Sequence, residues 1–238
     1  DKIKSDKQSR KVTVVHRPMS KSFTKTEIGY VFDIEKSFNT EDKNVKLGIF
    51  AAEEPESTEM IDGAVSDWGI TAQIKSLLQN YRTEADGTAK TLNILYPYDD
   101  AHEAAKPERI SVSNADGIKL TAKSGTDIIL KRNHDGNIVS DGINADADML
   151  IYRNSGGIQW YFADNVKNIY TGQYRITSES LLSWYMRGKT GSFYAAGITD
   201  ISVDGAASVI VNGKTIMPDL NGICRFEAAK GQHNIEIN

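Results

Sequence analysis

"VIVNGKTI", Val209–Ile216, is the stretch that decides the fold class. Two short runs rich in β-branched residues flank Asn212-Gly213, and both residues of that pair tolerate the positive φ angles of a type I′ turn. Asn-Gly between apolar runs is therefore typical of a β-hairpin. Three Asp-Gly pairs favour the same kind of turn elsewhere in the chain: Asp116-Gly117, Asp135-Gly136 and Asp204-Gly205.

Segments that alternate between apolar and polar residues recur along the whole chain. They are rich in Val, Ile, Thr, Tyr and Phe, and turn residues separate them at intervals of roughly 8 to 12 residues. The predicted strands include 10–17, 27–35, 44–53, 90–97, 109–114, 117–123, 126–133, 148–154, 158–165, 192–198, 207–216, 223–229 and 233–238. This pattern predicts an all-β protein, a large antiparallel β-sandwich. We expect residues 1–186 to form that sandwich, and the hairpins of 187–238 to close it or to form a small β subdomain.

One segment departs from the period of a strand. In "SDWGITAQIKSLLQNYR", residues 66–82, apolar residues recur at helical spacing after Ser66 and Asp67, two candidate caps. As a strand it alternates through Ile74, but Ser76 then breaks the pattern, so the spacing favours a short helix or helical turn. The acidic stretch 51–63 is predicted to be a loop from its composition.

Composition and charge exclude several classes of protein. A chain of 238 residues buries a full core, and the formal net charge of −4 gives no overall attraction to nucleic acid. No apolar run approaches the ~18 residues of a membrane-spanning helix. The only cysteine, Cys224, excludes an internal disulfide. The basic start lacks an initiator Met and a signal-like apolar run, so we interpret it as a processed end or an internal point of a longer protein.

No pattern for catalysis, a cofactor or a metal ion is convincing. The chain lacks a G-x-S-x-G nucleophile motif, a phosphate loop and a dinucleotide fingerprint, so we expect no cofactor and assign no catalytic residue. His16 and Asp33, on adjacent predicted strands, are too few ligands for zinc. The loop 140–148 offers Asp141, Asp146 and Asp148 in the manner of a calcium loop, but it lacks the central Gly and closing Glu of an EF-hand. We expect no metal site, and we predict that Cys224 is an inert core thiol.

Aromatic residues are the strongest candidates for function. Trp160/Tyr161 and Trp184/Tyr185 are adjacent pairs, and in a strand one member of each faces out. An exposed ring beside polar groups suits the flat face of a sugar. In "YPY", 96–98, a strand ends around a proline that limits further pairing, and a polar loop follows. We therefore predict a carbohydrate-binding surface at the rim of the sandwich, formed by Tyr96, Tyr98, His102 and Trp68.

The order of several segments resembles the β-sandwich portion of heparinase II/III-like polysaccharide lyases. The similar stretches are "GYVFDIEKSFN…NVKLGIFAAEE", "TEADGTAKTLNILYPYDD…PERISV", "NADADMLIYRN", "GITDISVDGAASVIVNGK" and "RFEAAKGQHNIEIN". The resemblance implies a polysaccharide or oligosaccharide partner, an α/α toroid upstream in the parent protein, and a bacterial periplasmic or extracellular location. In that family the proton-abstracting Tyr and His come chiefly from the toroid. The family's metal-binding His-x-His has no counterpart here, because His16 has no second His beside it.

Two functions follow from these observations, and a third interpretation is a structural β module whose aromatic residues all lie in the core. The first is the β-sandwich domain of a polysaccharide lyase-like protein, which supplies scaffold and one wall of the sugar cleft, while β-elimination at a uronic acid occurs with the toroid. We expect the chain alone to be inactive. The second is a stand-alone carbohydrate-binding or surface adhesion module without catalysis. Neither involves nucleic acid or a membrane span.

Overall fold

The computed structural model describes residues 2–4, 11–34, 44–67, 70–83, 88–102 and 104–238. These residues form antiparallel sheets without any helix, which confirms the predicted all-β class. Consequently, the described residues contain no helix long and apolar enough to cross a membrane. The chain divides into two compact units, Asp1–Arg109 and Ile110–Asn238. The predicted boundary at residue 187 lies within a hairpin of the second unit.

Strands of the first unit form three sheets, ordered β1-β8, β2-β7-β6 and β3-β4-β5-β9. Their bounds are β1 Lys2–Lys4, β2 Lys11–His16, β3 Ser22–Lys25, β4 Gly29–Asp33, β5 Lys46–Ala51, β6 Ser57–Asp67, β7 Ile70–Arg82, β8 Thr88–Lys90 and β9 Asn93–Tyr98. The buried side chains of Tyr30, Phe32 and Ile49 pack with Leu77 of β7. The three-stranded and four-stranded sheets therefore share one core.

Fourteen strands form the large sheet that contains the second unit. Their bounds are β10 Lys106–Val112, β11 Ala115–Ala122, β12 Gly125–Arg132, β13 Ile138–Ser140, β14 Ile143–Asp146, β15 Met149–Asn154, β16 Ile158–Tyr170, β17 Arg175–Arg187, β18 Thr190–Ala195, β19 Thr199–Asp204, β20 Val209–Val211, β21 Lys214–Ile216, β22 Ile223–Ala228 and β23 Gly231–Ile237. The main path runs β10-β11-β12-β15-β16-β17-β18-β23-β20-β21.

The long hairpin β16–β17 joins two layers of the second unit. One end pairs with β15 and β18, whereas the other end pairs with β14 and β19. The ladder shifts register between Ala163 and Asn168, and Asn165 has a φ of 52°. Such irregularities bend a strand and increase its twist. Buried residues from both ends, including Trp184 and Ile201, belong to one core cluster, so the two layers face each other as a sandwich.

The predicted helix over 66–82 is wrong, because Ile70–Arg82 is the central strand β7 and pairs on both sides. Its polar residues satisfy one another across the sheet: Asn80 accepts from Thr13 Oγ1 at 2.7 Å and donates to Ser57 Oγ at 3.0 Å. The predicted loop over 51–63 is also wrong from Ser57 onward, since β6 begins there and pairs with β7 along its full length.

Only one of the four predicted hairpin turns joins two paired strands. Asn212 and Gly213 have φ angles of 49° and 82°, and they connect β20 to β21 as predicted. Asp116-Gly117 instead lies inside β11. The strands on either side of Asp135-Gly136 and of Asp204-Gly205 pair with other partners, so those two hairpin predictions are wrong.

Candidate functional site

The two tyrosines of the predicted rim lie on one face of strand β9. The strand continues through Pro97, which is the register partner of Leu47, so Tyr96 and Tyr98 point the same way. Both side chains are half-buried, and their ring centroids are 5.8 Å apart with a 35° tilt between the planes. β9 is the last strand in the order β3-β4-β5-β9. The edge of this sheet therefore carries a short strip of two aromatic rings.

A row of polar side chains continues from Tyr98 across the sheet. Tyr98 is the partner of Lys46, Lys46 of Asp33, and Asp33 of Ser22, so all four share a face. Lys46 Nζ lies 3.2 Å from Asp33 Oδ1, and Ser22 Oγ donates to Asp33 Oδ2 at 3.1 Å. In the next row, Gly48 faces Tyr96. The aromatic strip thus adjoins a cation, a carboxylate and a hydroxyl group.

Protonation of this row follows from its contacts. The hydrogen bond with Asp33 raises the pKa of Lys46 above its ordinary value, so the ammonium group stays charged at neutral pH. Burial raises the pKa of Tyr98, with a smaller opposing effect of Lys46. The phenol therefore remains protonated and is a poor base at neutral pH, although it is a good hydrogen-bonding group.

The loop after β9 is organised by Asp99. Its Oδ1 accepts hydrogen bonds from the backbone N–H groups of Ala101 and His102, each at 3.0 Å. The same oxygen lies 2.6 Å from His102 Nδ1, and this side-chain hydrogen bond is the largest cause of the lowered pKa of Asp99. His102 therefore folds back on its own turn through Nδ1. Trp68, the remaining predicted carbohydrate-binding residue, lies outside the described residues.

The carboxylates considered for a metal ion have other partners. Asp141 lies in the turn between β13 and β14, where its Oδ2 accepts a hydrogen bond from Tyr152 at 3.1 Å. Asp146 and Asp148 each lie 2.6 Å from one guanidinium nitrogen of Arg132. Within the described ranges, no group of three or more His, Cys, Asp and Glu residues could hold a metal ion.

His16 and Asp33, the candidate zinc pair, lie in different sheets. His16 Nε2 lies 2.9 Å from Gln79 Oε1 on the neighbouring strand β7, so the imidazole is engaged within its own sheet. Asp33 belongs to the other sheet, in the polar row with Lys46. Burial lowers the pKa of His16. Cys224 is buried, as predicted, and burial raises the pKa of its thiol.

A second aromatic surface was not assigned from the sequence. Trp184 and Tyr161 are buried in the core, whereas Trp160 and Tyr185 lie on the outer face with ring centroids 6.4 Å apart. Arg187 is the register partner of Trp160 and shares that face. The adjacent aromatic pairs indicated one outward ring each. The contact between the two outward rings depends on the pairing of β16 with β17, which the pairs alone do not specify.

Similarity to known proteins adds nothing to these observations: no protein-family model matches the chain, and a search of curated proteins finds no relative.

Proposed function

We propose that the chain is a carbohydrate-binding β-sandwich portion of a polysaccharide lyase-like protein, and that it contributes one wall of the sugar-binding cleft. The contact surface is the strip of Tyr96 and Tyr98 together with Lys46. An upstream toroid, which the resemblance in sequence implies, would supply the chemistry of β-elimination. The substrate class is a uronic acid-containing polysaccharide outside the cytoplasm of a bacterium.

The side-by-side arrangement of the two tyrosines is the observation that carries this proposal. Rings that share one face, two residues apart along a strand, form a platform for the apolar face of a pyranose. Phenol hydroxyl groups can also hydrogen-bond to the hydroxyl groups of a sugar. Lys46, one strand away, is ion-paired with Asp33 and adds a cation that a sugar carboxylate would share with Asp33. Stacking, hydrogen bonding and charge thus meet on a single sheet face.

The protonation of the strip favours binding over catalysis. β-Elimination needs a base that removes a proton beside the uronate carboxyl group, and a base works best when its pKa lies near the operating pH. The raised pKa of Tyr98 moves it away from that range. The strip therefore positions sugar, and proton abstraction belongs to another part of the parent protein.

Truncation of each ring tests the proposal. Tyr96→Ala and Tyr98→Ala should each weaken binding of heparan sulfate, chondroitin sulfate or alginate oligosaccharides about tenfold, because loss of a stacking ring costs about 1.4 kcal/mol. Isothermal titration calorimetry measures the affinity, and a melting curve of each variant shows whether the fold is kept. Tyr194→Ala is the matched control, since Tyr194 is a 45% exposed strand tyrosine of the other unit. Unchanged affinity in both strip variants would refute the proposal.

A stand-alone binding module is the alternative, because the strip is the same with or without a catalytic partner. Ultraviolet absorbance of unsaturated uronate products separates the two readings when it is followed for the full-length protein and for this chain. Turnover by the full-length protein alone favours the lyase-like function. Turnover by neither favours a binding module, and clear turnover by the isolated chain would contradict both.

A further inference from the structure

A pocket opens at one end of the second unit. Its volume is about 540 Å³, which is within the range of ~300–1,000 Å³ for small-molecule sites. Gly157 and Gly188, from the turns that precede β16 and β18, lie at its wall, and Asn238 lines it from beyond β23. The pocket belongs to a different unit from the strip of Tyr96 and Tyr98.

Two tyrosine hydroxyl groups meet in the wall of this pocket. Tyr161 Oη lies 2.9 Å from Tyr174 Oη, so one hydroxyl group donates to the other. Tyr161 is buried, whereas Tyr174 is partly exposed. Burial raises the pKa of both, which keeps them neutral. A pair of neutral hydroxyl groups offers a further donor and acceptor to a ligand but no base.

Uncommitted polar side chains surround the tyrosine pair. Gln159, Gln173 and Lys189 line the pocket, and their side chains make no hydrogen bond or ion pair with any residue that the structure describes. Amide groups that both donate and accept suit a ligand rich in hydroxyl groups. Trp160 also belongs to the lining, and its ring contacts Tyr185 on the outer face. Amide groups without a partner among the described residues, beside an aromatic residue, suit a saccharide.

Charges at the pocket select the kind of sugar. The side-chain carboxylate of the lining, Asp141, accepts hydrogen bonds from two neutral groups: the hydroxyl of Tyr152 and the amide of Asn154, whose Nδ2 lies 3.3 Å from Asp141 Oδ2. The ammonium group of Lys189 has no ion-pair partner among the residues that the structure describes. Lys189 is therefore the side-chain cation of the lining that can receive a ligand carboxylate.

We propose that this pocket is a second saccharide site, which binds the end of an oligosaccharide through a sugar residue that carries a carboxylate. Lys189 binds the carboxylate, while Gln159, Gln173 and the tyrosine pair bind hydroxyl groups. This site does not depend on the strip of β9, because none of its lining residues belongs to the first unit.

Residue-resolved nuclear magnetic resonance tests the second site separately from the first. Trigalacturonate is titrated into the full chain, and cellotriose serves as a neutral probe of equal length. We expect trigalacturonate to shift the backbone amide signals of Gln173 and Gly188. Lys189→Met should raise the dissociation constant obtained from these shifts about tenfold, as for loss of one charge-assisted contact.

Lys230→Met is the matched control, because Lys230 is an exposed lysine of the same unit outside the pocket lining. It removes the same charge and should leave the dissociation constant unchanged. Gln173→Ala, at a second exposed position, should weaken binding of trigalacturonate without lowering the melting temperature. Shifts confined to the amides of Lys46 and Gly48 would overturn the second site while supporting the strip. Equal affinity for cellotriose, or equal effects of both lysine substitutions, would overturn the assignment to an acidic sugar.

Discussion

Trp184 and Tyr185, neighbours in β17, should differ sharply in how much their truncation to alanine lowers the free energy of unfolding. Trp184 is fully buried and stacks on Phe193, with centroids 5.1 Å apart and planes 10° from parallel. Tyr185 is 37% exposed on the opposite face. Truncation of a buried aromatic residue to alanine costs about 3–5 kcal/mol, which includes the lost ring contact. Truncation of this partly exposed ring should cost less than about 1 kcal/mol.

These free energies of unfolding convert into measurable shifts. For a unit of this size, 1 kcal/mol moves the melting temperature by about 4 °C. Trp184→Ala should therefore lower it by about 12–20 °C, and Tyr185→Ala by less than about 4 °C. Cys224 provides a reporter within the same core, because its thiol is fully buried in the folded protein. Its reaction with a thiol reagent along a urea series follows unfolding of the second unit alone.

A milder substitution keeps the comparison valid if Trp184→Ala does not fold. Trp184→Phe preserves a ring beside Phe193 and should still lower the urea midpoint by more than Tyr185→Ala does. Equal losses for the two positions would refute the assignment of Trp184 to the core and of Tyr185 to the outer face. A larger loss for Tyr185 would place the outer surface within a packed interface.

Three further results are expected. Burial lowers the pKa of His16, so its stabilising contribution is complete above pH ~6.5, the value in the unfolded chain, and is lost as the pH falls from there through the lower pKa of the folded protein. His16→Gln should therefore reduce the drop in melting temperature between pH 7 and pH 5, and an unchanged drop would contradict this. Gly117→Ala should lower the free energy of unfolding by more than about 2 kcal/mol, because the added Cβ would overlap the carbonyl oxygen of Ile129. Gly63→Ala should change it by less than about 1 kcal/mol in the same urea titrations, because its Cβ would lie 3.6 Å from Ser76 Oγ. A chelator should leave the melting curve unchanged, and a shift of many degrees would reveal a bound metal.

The alternation of apolar and polar residues was sufficient to predict strands whose buried side consists of apolar residues. It failed to predict β7, where polar residues are buried. In β7, Gln79 and Asn80 are each 1% exposed. They are satisfied by partners on neighbouring strands, such as Thr13 and Ser57 for Asn80. Their burial is favourable only because those partners exist. A single sequence does not reveal which strands are neighbours. The helical spacing of the apolar residues in 66–82 therefore led to the prediction of a helix.

The pairing of the flanking strands, not the composition of the dipeptide, also determined which Asp-Gly and Asn-Gly pairs form hairpins. Asp116-Gly117 has the composition of a turn, yet Gly117 lies within β11 opposite Leu130, and Asn114 is the nearby residue with positive φ, at 62°. A dipeptide shows that a chain can reverse, whereas the partners of the flanking strands decide whether it forms a hairpin.

The candidate site was predictable only in part for the same reason. Strand periodicity places Tyr96 and Tyr98 on one face if β9 continues through the proline. Their proximity to Lys46 depends on the pairing of β5 with β9, which are separated in sequence by β6, β7 and β8. Nothing local in the sequence specifies that pairing, because register between distant strands is set by tertiary packing.

Pro97 has one physical role that connects the fold with the proposed binding. Among the residues that the structure describes, β9 is a terminal strand of its sheet, and such an edge is a template for an additional strand. Proline lacks the N–H donor that such a strand would pair with, and for that reason it is found at sheet edges. An edge without a further strand keeps additional backbone away from Tyr96 and Tyr98. The residue that protects the sheet from edge-to-edge association therefore also leaves the two rings accessible to a saccharide.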